Sequence, residues 1–213
     1  MTKLKTGWIV LLLVFYASFW VWYGGNGDPL PQAEGEAMFA EMEDIYGVTV
    51  EDAPDGSMIK NLTAMLPNDD GKEFYAVNLE TRKTGAKALV SEEKYTAIVV
   101  PLLLKRGGHP VFVSERAGLM LGQYGNTIDR VGVVRYRSLR DLLDMILDPA
   151  MLEGRDYKYG ALAHTEVFIT RPTITFVQIR FLLGLLFLVV GAAGLWLIGR
   201  RQNRVSPSAT NPS

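Results

Sequence analysis

No cysteine occurs among the 213 residues, and only two histidines do. Disulfide scaffolds, thiolate metal sites, cysteine nucleophiles and thiol redox chemistry are excluded, while the redox compartment stays open because a thiol-free chain is safe anywhere. A zinc or iron site would draw most of its ligands from carboxylates. No metal is therefore expected, and the residues identify no cofactor. A surplus of one charge is also missing: 22 Lys+Arg stand against 23 Asp+Glu, a formal net charge of -1. Phosphate neutralisation needs an excess of cations, so nucleic acid is excluded as a partner. No Gly-rich phosphate loop, nucleophile elbow or His-Glu-x-x-His pattern is present.

What the chain does have is two long apolar runs. Residues 7–23, GWIVLLLVFYASFWVWY, carry no formal charge and extend about 25 Å as a helix. Trp8 lies at one end and Trp20, Trp22 and Tyr23 at the other, where amphipathic rings favour the membrane interface. The run exceeds the apolar core of a signal peptide and no small-x-small cleavage site follows it closely, so it reads as an uncleaved anchor. Residues 181–198, FLLGLLFLVVGAAGLWLI, form the second run, with Arg180 before it and Arg200, Arg201 and Arg204 after it. Its apolar side chains cover every helix face, as in a membrane span rather than an amphipathic surface helix. Gly184, Gly191 and Gly194 are not four apart; they suit close helix contact and simple tolerance within a span equally well. Lys3 and Lys5 before the first run, and the three arginines after the second, place both termini in the cytoplasm by the positive-inside rule.

The expected organisation is a cytoplasmic tail at 1–6, a transmembrane helix at 7–23, a linker and helical segment at 24–56, one α+β domain at 57–173, a transmembrane helix at 174–199, and a disordered cytoplasmic tail at 200–213. Residues 24–35 hold four Gly and two Pro, a linker composition. Met38, Met42, Ile45 and Tyr46 recur at helical spacing before Gly47, and a second short helix fits 57–66. Strands are expected at 74–80, 110–115, 130–136 and 161–170. One helix opens at Ser91 with Glu92 and Glu93 in its first turn, and its stripe is Tyr95, Ile98, Val99, Leu102 and Leu103. Another starts with the capping-box-like Ser138-x-x-Asp141 and closes at Asp148-Pro149. The order strand, helix, strand, strand, helix, strand is that of a ferredoxin-like βαββαβ domain: a four-stranded antiparallel sheet with helices on one face. The other face must then find a partner, ordinarily a second copy.

Several pieces, in this order and spacing, resemble the bacterial domain-of-unknown-function 1330 family of the dimeric α+β-barrel superfamily. They are Leu66-Pro67 with Asp70-Gly71, Val77-Asn78-Leu79, Tyr95 with Val100-Pro101-Leu102, Gly107-Gly108, Asp129, Val134-Arg135-Tyr136-x-Ser138, and Met145 with Asp148-Pro149. The likeness covers residues 62–170, about half of the chain. Ile128, Arg137 and Tyr157-Lys158 depart from the family pattern, and the apolar runs lie outside it. The resemblance implies the fold and a dimer, and no reaction.

Candidate chemistry is sparse. His164, Glu166 and Phe168 share one face of the last strand, while Arg130 and Tyr136 share one face of the third and Arg135 lies on the other. His164 and Glu166 are the candidate acid-base pair, with Arg130, Tyr136, Asp129 and Asn78 as candidate binding residues on an open sheet face. Against this stands the reading of the same residues as surface or dimer contacts. His109 follows the Gly pair and is expected in a turn. The overall expectation is a bacterial inner-membrane protein with two spans and an extracytoplasmic domain. Its partners are the lipid bilayer and a second copy or the subunits of a membrane complex, and its role is binding or assembly. The alternative is a small-molecule enzyme of oxygenase or isomerase type needing little or no cofactor.

Overall fold

The computed structural model describes residues 2–174 and 178–205. These form two compact units, one built from the terminal helices and one spanning Tyr23–Ile174.

The terminal unit pairs α1 (Lys3–Gly24) with α7 (Ile179–Val205). Both are long and apolar enough to cross a membrane. Along their seam three of the four glycines of α7 receive apolar or aromatic side chains of α1: Gly194 lies against the Trp8 indole, Gly191 against Leu12 and Gly184 against Tyr16. The Tyr16 hydroxyl donates to the Arg180 carbonyl at 3.1 Å. The glycines thus serve helix contact, and what they admit is bulky side chains rather than a closely approaching backbone. Helix α7 continues through residues 200–205, expected to be part of the disordered tail. The rest of that tail, 206–213, lies outside the described residues.

The Tyr23–Ile174 unit opens with α2 (Gln32–Tyr46) and α3 (Met58–Met65). Gly47 ends α2 in the left-handed region at φ 67°, donating its N–H to the Glu43 carbonyl, an αL stop. Strand β1 (Phe74–Arg82) is followed by α4 (Ala86–Lys105), β2 (His109–Glu115), β3 (Arg130–Tyr136), α5 (Leu139–Ile146), α6 (Pro149–Ala161) and β4 (Leu162–Thr170). The sheet order is β2-β3-β1-β4 with every neighbouring pair antiparallel. This is the ferredoxin-like arrangement expected from the pattern, with helices added to it.

Three local differences have physical causes. Helix α4 begins at Ala86 rather than Ser91, because Ala86 to Val90 contain no breaker and Gly85, at φ 99°, supplies the turn. Helix α5 ends ahead of Asp148-Pro149 as expected, but the same pair also starts α6: the Asp148 carboxylate accepts the Ala150 N–H at 3.2 Å and Pro149 takes the first helical position, where its missing N–H costs nothing. Helix α6 lacks a clear apolar stripe because Gly154 and Gly160, facing Ile98 and Ser91, let it lie close on α4. His109 is the first residue of β2 rather than a turn residue.

The core joins α2, α3 and α5 to the covered sheet face, centred on Met42, Leu139 and Leu143. Leu143 is 0 % exposed, so Leu143→Ala should cost about 3 kcal/mol of stability through lost burial and a cavity; urea unfolding of the full chain measures it. On the covered side Phe74 stacks on Tyr136 with ring centroids 5.5 Å apart. Burial, with Glu80 adding to it, pushes the Tyr95 phenol up to about 12, and burial holds Tyr136 higher still. A phenol whose folded value exceeds its unfolded one supports the fold below the unfolded pKa, and that support disappears as pH rises through the folded value. Stability should therefore fall between about pH 10 and 12, and Tyr95→Phe should flatten the fall, as read by urea midpoints across that range.

Candidate functional site

Strand register decides which residues share a face. Phe74, Val134, Tyr136 and Ile169 belong to or pack against the core, so the alternate positions point away from the helices. Across the sheet these are Phe112 of β2, Val131, Val133 and Arg135 of β3, Tyr75, Val77, Leu79 and Thr81 of β1, and His164, Glu166, Phe168 and Thr170 of β4. No helical layer among the described residues of this unit packs on the middle of that face, where Phe112 and Phe168 stay exposed. Its middle is apolar: Val77 lies between Val133 and Phe168, and Phe112 extends the patch on β2. Phe168 and Phe112 are about half exposed, at 47 % and 51 %.

Each end of the face is closed by a polar device. At one end Arg135, only 1 % exposed, donates from Nε to Glu73 at 2.7 Å, from one terminal nitrogen to the Gly107 carbonyl at 2.7 Å, and from the other to the Tyr23 carbonyl at 3.0 Å. Its guanidinium lies 3.8 Å from the centre of the Tyr23 ring. That ring in turn stacks on His109, with the Tyr23 hydroxyl 2.8 Å from His109 Nε2. At the other end the β2–β3 connection spans three strands. Arg116 N–H donates to the Asp129 carbonyl at 2.8 Å, the Thr81 hydroxyl of β1 bonds the Thr127 carbonyl, and the Tyr124 hydroxyl donates to the Glu166 carboxylate of β4. Hydrogen bonding to that carboxylate, with lesser help from burial and charge, pushes the Tyr124 phenol up. The loop carries Leu119, Met120 and Leu121, the last two almost wholly exposed.

The sequence-predicted set is divided between the two faces. His164 and Glu166 lie on the uncovered face, opposite Thr81 and Leu79. Arg130, Tyr136 and Asn78 lie on the helix-covered face. Arg130 donates to Glu80 at 2.6 Å and also to Glu92 of α4; Asn78 Nδ2 donates to the Ala76 and Gly132 carbonyls at 3.2 and 3.1 Å. Asp129 accepts the Arg82 N–H at 2.8 Å, tying the loop to the end of β1. These binding candidates are thus spent inside the fold and do not converge with His164. Sequence reasoning missed Tyr23, His109 and Tyr124. Tyr23 reads as an interfacial aromatic and His109 as a turn residue, and only long-range pairing shows otherwise. Arg135 had a signal, since period two already sets it apart from Arg130 and Tyr136.

No protein-family description and no curated protein matches the chain. Among solved structures, the methylated RPA0582 protein superposes with a TM-score of 0.50 at 17 % identity, over 58 % of this chain and 96 % of that one. The RPA0582 protein of unknown function from Rhodopseudomonas palustris gives 0.49 at 19 % identity, over 58 % and 97 %. A dimeric protein of unknown function and ferredoxin-like fold from Bacteroides fragilis gives 0.33 at 10 % identity, over 47 % and 96 %. The chain therefore carries an α+β domain similar in fold to proteins of unknown function, flanked by two long apolar helices.

Proposed function

We propose that this is a bacterial inner-membrane protein crossing the bilayer twice, with both termini cytoplasmic, whose extracytoplasmic ferredoxin-like domain pairs with a second copy through its uncovered sheet face and acts as a binding or assembly module. The observation that carries this reading is the apolar centre of that face, Val77, Val133, Phe112 and Phe168, left without a covering layer. A contiguous apolar patch of this kind marks an interface, and a self-complementary face meets its copy about a two-fold axis. The exposed Leu119-Met120-Leu121 tip gives each copy an apolar arm for the other. The residue pattern resembling the domain-of-unknown-function 1330 family supports the same pairing.

An enzyme using His164 and Glu166 has less support, because Arg130 and Tyr136, its proposed substrate-orienting groups, sit under the helices. The topology is testable because the chain has no cysteine. In intact cells a membrane-impermeant maleimide should label Thr84→Cys from outside and leave Ser208→Cys unlabelled until the cells are opened. The reverse pattern overturns the orientation. Native mass spectrometry of the full-length protein should show a homodimer; a clean monomer overturns the pairing.

A further inference from the structure

A cavity of about 280 Å³ lies within the Tyr23–Ile174 unit among α2, the turn before α3, α5 and α6. Its walls include the flexible apolar side chains of Met42, Met58 and Met151, and its polar lining includes Ser57, Arg155 and Lys158, with no acidic residue. Two of these polar groups are unspent. The Ser57 hydroxyl is buried without a hydrogen-bond partner among the described residues, although Ser57 precedes α3 at a position where its oxygen would ordinarily cap the helix. The Lys158 ammonium forms no ion pair or hydrogen bond among the described residues; Glu80, the acid that acts on it, already holds Arg130 at 2.6 Å. Burial pushes the Lys158 amine below its usual value, with Glu80 pulling back. Arg155 adds a second cation, its guanidinium 5.4 Å from the centre of the Tyr46 ring. A buried hydroxyl such as that of Ser57 is nearly always paired, Lys158 is half-buried at the cavity wall, and a small apolar pocket with a few convergent polar groups is the usual form of a ligand site.

We propose that this cavity binds a short aliphatic carboxylate, its head taken by Lys158, Ser57 and Arg155 and its chain lying among Met42, Met58 and Met151. Two cations in a lining without an acid, the one acid acting on Lys158 being engaged by Arg130, select an anion. The hydroxyl donor suits a carboxylate oxygen, and methionine walls adapt to an unbranched chain. The site uses the helical layer and not the uncovered sheet face, so it stands independently of dimer formation.

The test is a hexanoate titration of the full chain in lipid nanodiscs with ¹³C-methyl methionine, subtracting empty discs. The Met42, Met58 and Met151 methyls should shift saturably while exposed Met120 stays put. 1-Hexanol should bind at least about tenfold more weakly, and Lys158→Gln should weaken hexanoate by a similar factor, as expected for loss of a charge-assisted hydrogen bond. The buried Met145 methyl reports whether the variant is folded. If Lys158→Gln is not, Lys158→Arg should retain binding and Ser57→Ala should weaken it. No saturable shift up to the solubility of hexanoate, equal affinity for 1-hexanol, or unchanged binding in folded Lys158→Gln overturns the proposal. With Lys158→Gln unfolded, unchanged binding in Ser57→Ala overturns it equally.

Discussion

Val77→Glu should convert the purified full-length protein from dimer to monomer while leaving the domain folded. Val77 lies on β1, one of the two inner strands, between Val133 and Phe168, so in a face-to-face pair a two-fold axis sets two such side chains into one apolar layer. A carboxylate there would have to lose its water without gaining a cation, at several kcal/mol per ion, and the dissociation constant should rise more than about a hundredfold. In the monomer the same position is only partly buried, so the glutamate keeps contact with water and the thermal midpoint should change little. Val113→Glu is the matched control: Val113 is exposed on β2 but registers with Gly132 on the other side of the sheet, and its variant should stay dimeric. Light scattering coupled to size-exclusion chromatography reads both. A Val77→Glu protein that remains dimeric would move the interface to the apolar helices.

Arg135→Ala should be the most destabilising single change at the site. Truncation strands the Gly107 and Tyr23 carbonyls and leaves Glu73 without its cation. It also removes the plane on which Tyr23 rests. Breaking a pair buried on one side costs about 3 to 5 kcal/mol, which for a unit of this size lowers the melting temperature by about 10 °C. Arg135→Lys should recover only part of it, because an ammonium cannot reach three acceptors in the planar fork that guanidinium presents. Pairing Arg135→Met with Glu73→Gln should cost less than Arg135→Ala alone, since it removes both charges together. Circular dichroism melts of the full chain follow all three.

Local signals carried much of the architecture. The two apolar runs are legible by their length without a charge, and the stripe of α4 and the strands by the periods of the backbone itself, 3.6 and 2. Helix α6 was not, because Gly154 and Gly160 locally disfavour a helix and are accommodated there by accepting Ile98 and Ser91 from α4, a contact no local pattern shows.

The candidate site divides along the same line. Alternation within β3 separates Arg135 from Arg130 and Tyr136, and alternation within β4 groups His164 with Glu166. Which face of β3 matches which face of β4 is set by register, through β1, and a shift of one residue would exchange the two faces. The sequence by itself determined the strands, the apolar helices and the absence of thiol chemistry. Only the tertiary structure decided that Arg130, Tyr136 and Asn78 turn inward, that Tyr23 and His109 meet over Arg135, and that Lys158 and Ser57 line one cavity. Those outcomes depend on pairings between segments far apart in the chain, which no local pattern encodes.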